Sequence, residues 1–341
     1  MPADARPRLP ESELTGGMHC RLSFRVLAGI IDMIGIVKSS LPHGREMTAL
    51  QSLEAAAALG LQGVLFNTLF DISPALDRGE MNEVKTEADR LNLRLSAGLG
   101  CVNPALPFRG AKIVETGNGQ IEMGVQRLIE CAADIGILDL FFIIGMIEER
   151  FNTDVLWQDQ LDAVSALVKS CGPLLRDRNA RLLLKTHEEI TTREVVSLVE
   201  TAGPDRLGVA FDPVNVVCRM EDPVEAARRI APYVGQIHVD DAVVRFQEGG
   251  IRRFLAPLGE GAMDWPAIME LMPDAPRWIE MHAGQFAMPV FDRDWLDAQP
   301  DIVLHEYASV LGMAASLGSR EIPWDQDKPT DRLPHALELL L

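Results

Sequence analysis

The chain has 341 residues, 47% of them hydrophobic, enough for one large α/β barrel or for two ordinary domains. Its formal net charge of −18 at pH 7 repels phosphate backbones and argues against a nucleic-acid partner. No apolar run reaches the ~18–20 residues that span a bilayer, which argues against a membrane partner, and the polar N-terminus MPADARPRLPESELTGG holds no hydrophobic core of an export signal. The expectation is therefore cytoplasmic.

Residues 1–20 read as a loose N-terminal arm. RLSFRVLAGII (21–31) reads as a first strand, followed by a loop and the Ala-rich helix MTALQSLEAAAALG, which Gly60 closes. LQGVLFNTL is the second strand, ALDRGEMNEVKTEADRLN a helix, and LRLSAGLG the third strand. A helix near IEMGVQRLIECAADIG leads to LDLFFIIG, a buried fourth strand with Glu148 just beyond it. The long helical stretch VLWQDQLDAVSALVKSCGPLLRDRN then feeds RLLLKTH. TTREVVSLVETAG opens on threonines suited to an N-cap and leads to RLGVAFD; DPVEAARRIAPYV is the next helix and GQIHVDD the seventh strand. AVVRFQEGGIRRFLAPLGEGAMDW reads as a long loop before the short helix PAIMELM, the eighth strand RWIEMH and a helix near LHEYASVLGMAASLG. Eight strands alternating with helices over 21–320 match a single (β/α)8 barrel, with an irregular extension over 321–341. An open doubly wound sheet is the competing fold, but no GxGxxG follows the first strand. The five cysteines are odd in number and form no CxxC pair, the pattern of reduced thiols.

Four of these runs carry polar residues where strands end, and α/β folds place their chemistry at carboxyl ends of strands. RLLLKTH ends in Lys185, Thr186 and His187, LGVAFD stops at Asp212, GQIHVDD carries His238, and RWIEMH carries Glu280 and His282. Asp212, His238 and Glu280 suit a divalent cation (Mn2+, Mg2+, Co2+ or Zn2+), since two carboxylates and an imidazole favour borderline-to-hard metals. Each also has an ordinary reading. Asp212 before Pro213 is a turn former, His238 a satisfied core imidazole, and Glu280 an ion-pair partner of Arg277 or Arg253. Three such groups in register at strand ends favour the metal.

The segments LLLKTHEE, GVAFDPVN, QIHVDDA, PLGEGAMDW and WIEMH resemble the second half of xylose isomerase-like TIM barrels. That superfamily holds sugar phosphate isomerases, ketose 3-epimerases, inosose dehydratases and apurinic endonucleases. The resemblance implies metal binding by Asp212, His238 and Glu280, with Asn215 and Asp241 at their usual offsets and Gly259, Gly261, Asp264 and Trp265 in the loop before the last strand. The family's Glu-x-His on strand five reads Lys185-Thr186-His187 here. His187 matches and the metal-binding Glu does not.

The implied function is a metal-dependent enzyme acting on a sugar, sugar acid or polyol through an enediolate or enolate, with isomerisation or epimerisation the family's commonest outcome. Glu280 and His187 would handle protons and Lys185 would stabilise negative charge. Beside a metal, the pKa of Lys185 is expected to fall, which leaves room for a neutral base or a Schiff base. The plain alternative is an internal ion pair of Lys185 with Glu188, Glu189 or Asp212. Asn215, Asp241, Arg253, His282 and Glu148 are candidates for holding substrate. The Lys185 departure also favours a lyase, either a decarboxylase of a 3-oxo sugar acid or a C-glycoside-cleaving subunit, because decarboxylation needs an electron sink and no proton-abstracting Glu. An apurinic endonuclease-like nuclease would need more ligands than seven histidines readily supply, and a basic face. A non-catalytic sugar-binding barrel completes the set. The apolar terminus HALELLL hints at a homo-oligomer.

Overall fold

The computed structural model describes residues 33–299, 301–317 and 321–341. Eight parallel strands close into a barrel: β1 (Ile34–Val37), β2 (Gly63–Phe66), β3 (Arg94–Cys101), β4 (Asp139–Ile143), β5 (Arg181–Lys185), β6 (Leu207–Phe211), β7 (Val234–Val239) and, last in the ring, β10 (Arg277–Ile279), which pairs with both β7 and β1. The (β/α)8 architecture expected from the alternation is therefore present. The proposed first strand at 21–31 lies outside the described residues, and the barrel's first strand is the following IGIV.

Strand alternation sorts the side chains into two cores. Val37, Leu65, Phe141, Leu183, Ala210 and Trp278 fill the inside of the barrel. Small residues make room for the two large rings: a side chain at Gly35 would collide with Trp278, and one at Gly98 with Phe141. The opposite faces of the same strands pack against the helices in one much larger cluster. Because the period is two, the residues stacked above that inner plug are Lys185 above Leu183, Asp212 above Ala210, and Glu280 then His282 above Trp278. On β7, Gln236 and His238 share that inward parity, with His238 edge-on to Phe141 at 5.2 Å. A hydrophobic floor thus carries a polar layer at the carboxyl ends of adjacent strands.

Two segments differ from the sequence expectation. The long loop after β7 is an antiparallel hairpin, β8 (Asp241–Gln247) and β9 (Gly250–Ala256), joined at Gly249 with φ +82° and extended by β11 (Phe286–Met288). Its signal was present, since EGG between two alternating runs specifies a tight turn. The C-terminal extension also contains a helix, Leu333–Leu340, whose Leu333, Ala336, Leu339 and Leu340 are buried.

Candidate active site

Lys185, at the end of β5, projects its ammonium between two carboxylates, 2.7 Å from Glu280 Oε2 and 3.1 Å from Asp212 Oδ2. The ion pair with Asp212 foreseen as the plain reading of Lys185 is present, with Glu280 as a second partner. Burial alone pushes the Lys185 ammonium down, but Glu280 and Asp212 outweigh it and hold its pKa above the ordinary lysine value. The two carboxylates thus act on Lys185 in the opposite sense to the fall expected beside a metal. With both carboxylates in contact, Lys185 is placed as a cation.

Glu280 is the hub of the layer. Besides Lys185 it meets His238 Nδ1 at 2.5 Å through Oε2 and His282 Nε2 at 3.3 Å through Oε1. Burial pushes its pKa up, yet His282, Lys185 and His238 together hold it well below the usual carboxylate range. A carboxylate stabilised in this way is a weak proton acceptor. His238 is fully buried, and burial together with the Lys185 charge lowers its pKa, so it is neutral. Burial also pushes His282 down, but Glu280 and Asp212 raise it above the ordinary histidine value.

Asp212 is shaped from behind. Thr186 exchanges two hydrogen bonds with its backbone, its hydroxyl donating to Asp212 O at 3.1 Å and accepting from Asp212 N at 2.7 Å. Asn215 donates to Asp212 Oδ2 at 2.9 Å and accepts at its own Oδ1 from Arg253 Nη1, also at 2.9 Å. Asp212 Oδ1 is buried with no hydrogen-bond partner among the described residues. Arg253, buried on β9, makes no ion pair with a carboxylate among the described residues. His187 stands at the same strand end as Lys185, its Nδ1 2.6 Å from Glu189 Oε2. Burial lowers its pKa, the Glu189 carboxylate raises it, and the net shift is upward.

Of the remaining candidates, Glu148 is exposed, 3.6 Å from Arg109, and outside this cluster. Asp241 is buried with its oxygens turned to backbone: Ala242 N at 2.8 Å, Gly259 N at 2.8 Å, Met263 N at 3.2 Å and Gly261 N at 3.3 Å. It organises the loop before β10, where Gly259 takes φ +79° and a side chain on Gly261 would strike the Asp241 carboxylate. The preceding residue, Asp240, was not singled out from the sequence. Its Oδ2 accepts from His282 N and lies 3.0 Å from His282 Nδ1. Strand alternation from His238 pointed to Asp240 rather than Asp241.

Among the described residues, the group whose donor atoms lie close enough to share one cation is Asp212, Glu280 and His282, all within 4.8 Å of one another. His238 is not in that group, but its Nδ1 lies 2.5 Å from Glu280 Oε2, one of its carboxylates. These donors suit a divalent ion: two carboxylates, one imidazole, and an unclaimed oxygen on Asp212. Lys185 shares the same carboxylates and sets a fixed positive charge beside that position.

Known proteins frame this geometry. The model for the xylose isomerase-like TIM barrel matches residues 53–285. The chain belongs to that family. A 3-oxo-isoapionate decarboxylase from Pectobacterium atrosepticum is 32% identical over 133 residues, 38% of this chain and 46% of that protein. The chain aligns with less than half the length of the curated relatives it matches. Among solved structures, a D-psicose 3-epimerase determined in the presence of D-fructose superposes with TM-score 0.59 at 15% identity, covering 90% of this chain and 99% of that one. A xylose isomerase-like TIM barrel protein from Mycobacterium smegmatis in complex with magnesium gives 0.55 at 17% identity, covering 83% and 97%. At such identities the structural likeness speaks for the fold. Within this xylose isomerase-like barrel, strand five ends in the ammonium of Lys185.

Proposed function

We propose that this barrel is a lyase that decarboxylates a 3-oxo sugar acid. One observation carries the reading: Lys185 neutralises both Glu280 and Asp212, the carboxylates that a proton-moving isomerase would need free. Decarboxylation reaches an enolate without abstracting a proton from carbon. The bond between the carboxylate carbon and C2 breaks, its electron pair passes into the C3 carbonyl, and carbon dioxide leaves. What the reaction requires is positive charge at the developing oxygen and an acid for C2.

Lys185 supplies the first from a fixed, desolvated position. His187, raised in pKa and oriented by Glu189, delivers the proton to C2. Arg253, with no carboxylate partner among the described residues and linked to Asp212 through Asn215, orients the substrate carboxylate by a forked contact. A divalent ion held by Asp212, Glu280 and His282 would add Lewis-acid polarisation of the substrate oxygens. The partial relationship to the 3-oxo-isoapionate decarboxylase supports the same substrate class.

The second reading, a ketose epimerase or isomerase, draws on the structural neighbours. The two separate in one assay with Mn2+. A 3-oxo sugar acid in D2O should release carbon dioxide and gain one deuterium at C2, while ketoses remain unchanged. Epimer formation from a ketose, with no carbon dioxide from any 3-oxo acid, would reject the lyase.

A further inference from the structure

The hairpin beyond β7 presents charge and apolar surface that the described residues leave uncovered. Arg245 on β8 stands directly opposite Arg252 on β9. Like charges in that position destabilise an antiparallel pair. Neither side chain makes an ion pair among the described residues, and Arg252 donates to the neutral Gln285 Oε1 at 2.9 Å. Next to the turn, Phe246 stacks flat on Phe291, ring centroids 6.3 Å apart and planes 5° from parallel. The two residues are nevertheless 43% and 62% exposed. Phe291 opens an exposed run of the opposite charge, with Asp292, Asp294 and Asp297 against Arg293. Asp292 caps the helix Arg293–Asp297 through Trp295 N, and Arg293 lies 3.6 Å from Asp297. Asp294 is left without an ion pair among the described residues.

A basic strand pair and an acidic run thus adjoin the same exposed pair of rings. A surface that carries both halves of its own complement fits a second copy of itself, because a two-fold contact sets each half against the other half of the partner. Net charge favours the same pairing. Each chain carries −18, so two copies repel unless arginines of one meet carboxylates of the other. We propose that this face, centred on Phe246 and Phe291, is the contact of an isologous homodimer, in which Arg245 and Arg252 of one protomer face Asp294 and Asp297 of its partner. The phenyl rings form the apolar centre, where truncation costs most, and the charges set the register. Strand β9 also carries Arg253, bonded to Asn215, so the contact is made by a strand that reaches the site. The inference does not rest on the reaction the site performs.

Light scattering of the full chain should give the mass of a dimer by about 100 µM, within reach of a small contact. Phe246→Ser combined with Phe291→Ser should weaken self-association by about 30-fold or more, the effect of losing a central aromatic anchor. Two charge reversals test the pairing. Arg245→Glu with Arg252→Glu, and separately Asp294→Lys with Asp297→Lys, should each give monomers. Mixing those two variants should restore a dimer that holds one chain of each. All six positions lie on the hairpin or the exposed run outside the barrel, and an unchanged circular dichroism spectrum in each variant separates a lost contact from a lost fold. A wild-type chain that stays monomeric at that concentration would overturn the proposal and leave the face to a different protein. A dimer that survives the phenylalanine change and both reversals would place the contact elsewhere. Folded monomers that do not recombine on mixing would overturn the pairing of charges.

Discussion

Lys185 determines how this site differs from a barrel with a carboxylate on strand five. Its ammonium is buried and bonded to Asp212 and Glu280, so its removal leaves two carboxylates facing each other with less positive charge between them. Lys185→Ala is expected to abolish turnover, by about 1,000-fold or more for a lost electrostatic stabiliser, while Mn2+ still binds. Lys185→Glu, which puts a carboxylate at the end of strand five, should tighten Mn2+ by at least about tenfold, because it exchanges a repelling charge for a ligand. Steady-state kinetics beside calorimetric titration checks both; an active Lys185→Ala would reduce the lysine to a structural ion pair. Much of this was legible in the chain. Asp212, Glu280, Lys185 and His282 stand at strand ends where a two-residue period aims them inward. What one strand cannot reveal is the partner across the barrel. The engagement of His238 by Glu280, and of His282 by Asp240, depends on the register between β7 and β10, which sets Trp278 opposite His238. Proximity to a metal suggested a lowered Lys185 pKa, and the two flanking carboxylates act in the opposite sense.

At the scale of elements, the hairpin β8–β9 and the loop that follows it hold the far side of the mouth in place. Asp241 ties them together, collecting backbone N–H groups from Ala242, Gly259, Gly261 and Met263. Resemblance to the family marked Asp241 for substrate, since spacing alone cannot say which way a carboxylate in an Asp-Asp pair turns. Alternation after His238 sends Asp240 inward, and the glycines at 259 and 261 allow the loop to wrap around Asp241. Asp241→Ala should therefore act on stability first. Several buried donors lose their acceptor, at about 1–3 kcal/mol each when left unmatched, and a total loss of about 3–5 kcal/mol is expected. Chemical denaturation should report it, with Mn2+ affinity little changed below the unfolding transition. Unaltered stability with lost substrate binding would return Asp241 to the pocket.

At the scale of the whole molecule, the terminal segment closes the structure rather than trailing from it. Gln326 bonds both the N–H and the carbonyl of Leu255 on β9, at 3.0 Å each, and Arg332 donates to the carbonyl of His282. The helix that follows buries Leu333, Ala336, Leu339 and Leu340 against the chain's own core. HALELLL suggested a subunit contact because an apolar helical stripe announces that it will be covered and not by what. Here much of that stripe is covered from within. Deleting residues 321–341 should expose the core beneath it and release the carbonyl of His282, the residue that shares the cation position with Asp212 and Glu280. Three buried leucines at about 1.5–3 kcal/mol each approach the whole stability of an ordinary domain. The truncated chain should therefore lose roughly 10 °C or more in Tm, with weakened Mn2+ binding in whatever fraction remains folded. Thermal unfolding followed with and without Mn2+, alongside mass determination by light scattering, distinguishes the roles. A truncated chain with unchanged Tm and a halved mass would make the helix a subunit contact, whereas a lowered Tm at unchanged mass would make it part of the barrel's own closure.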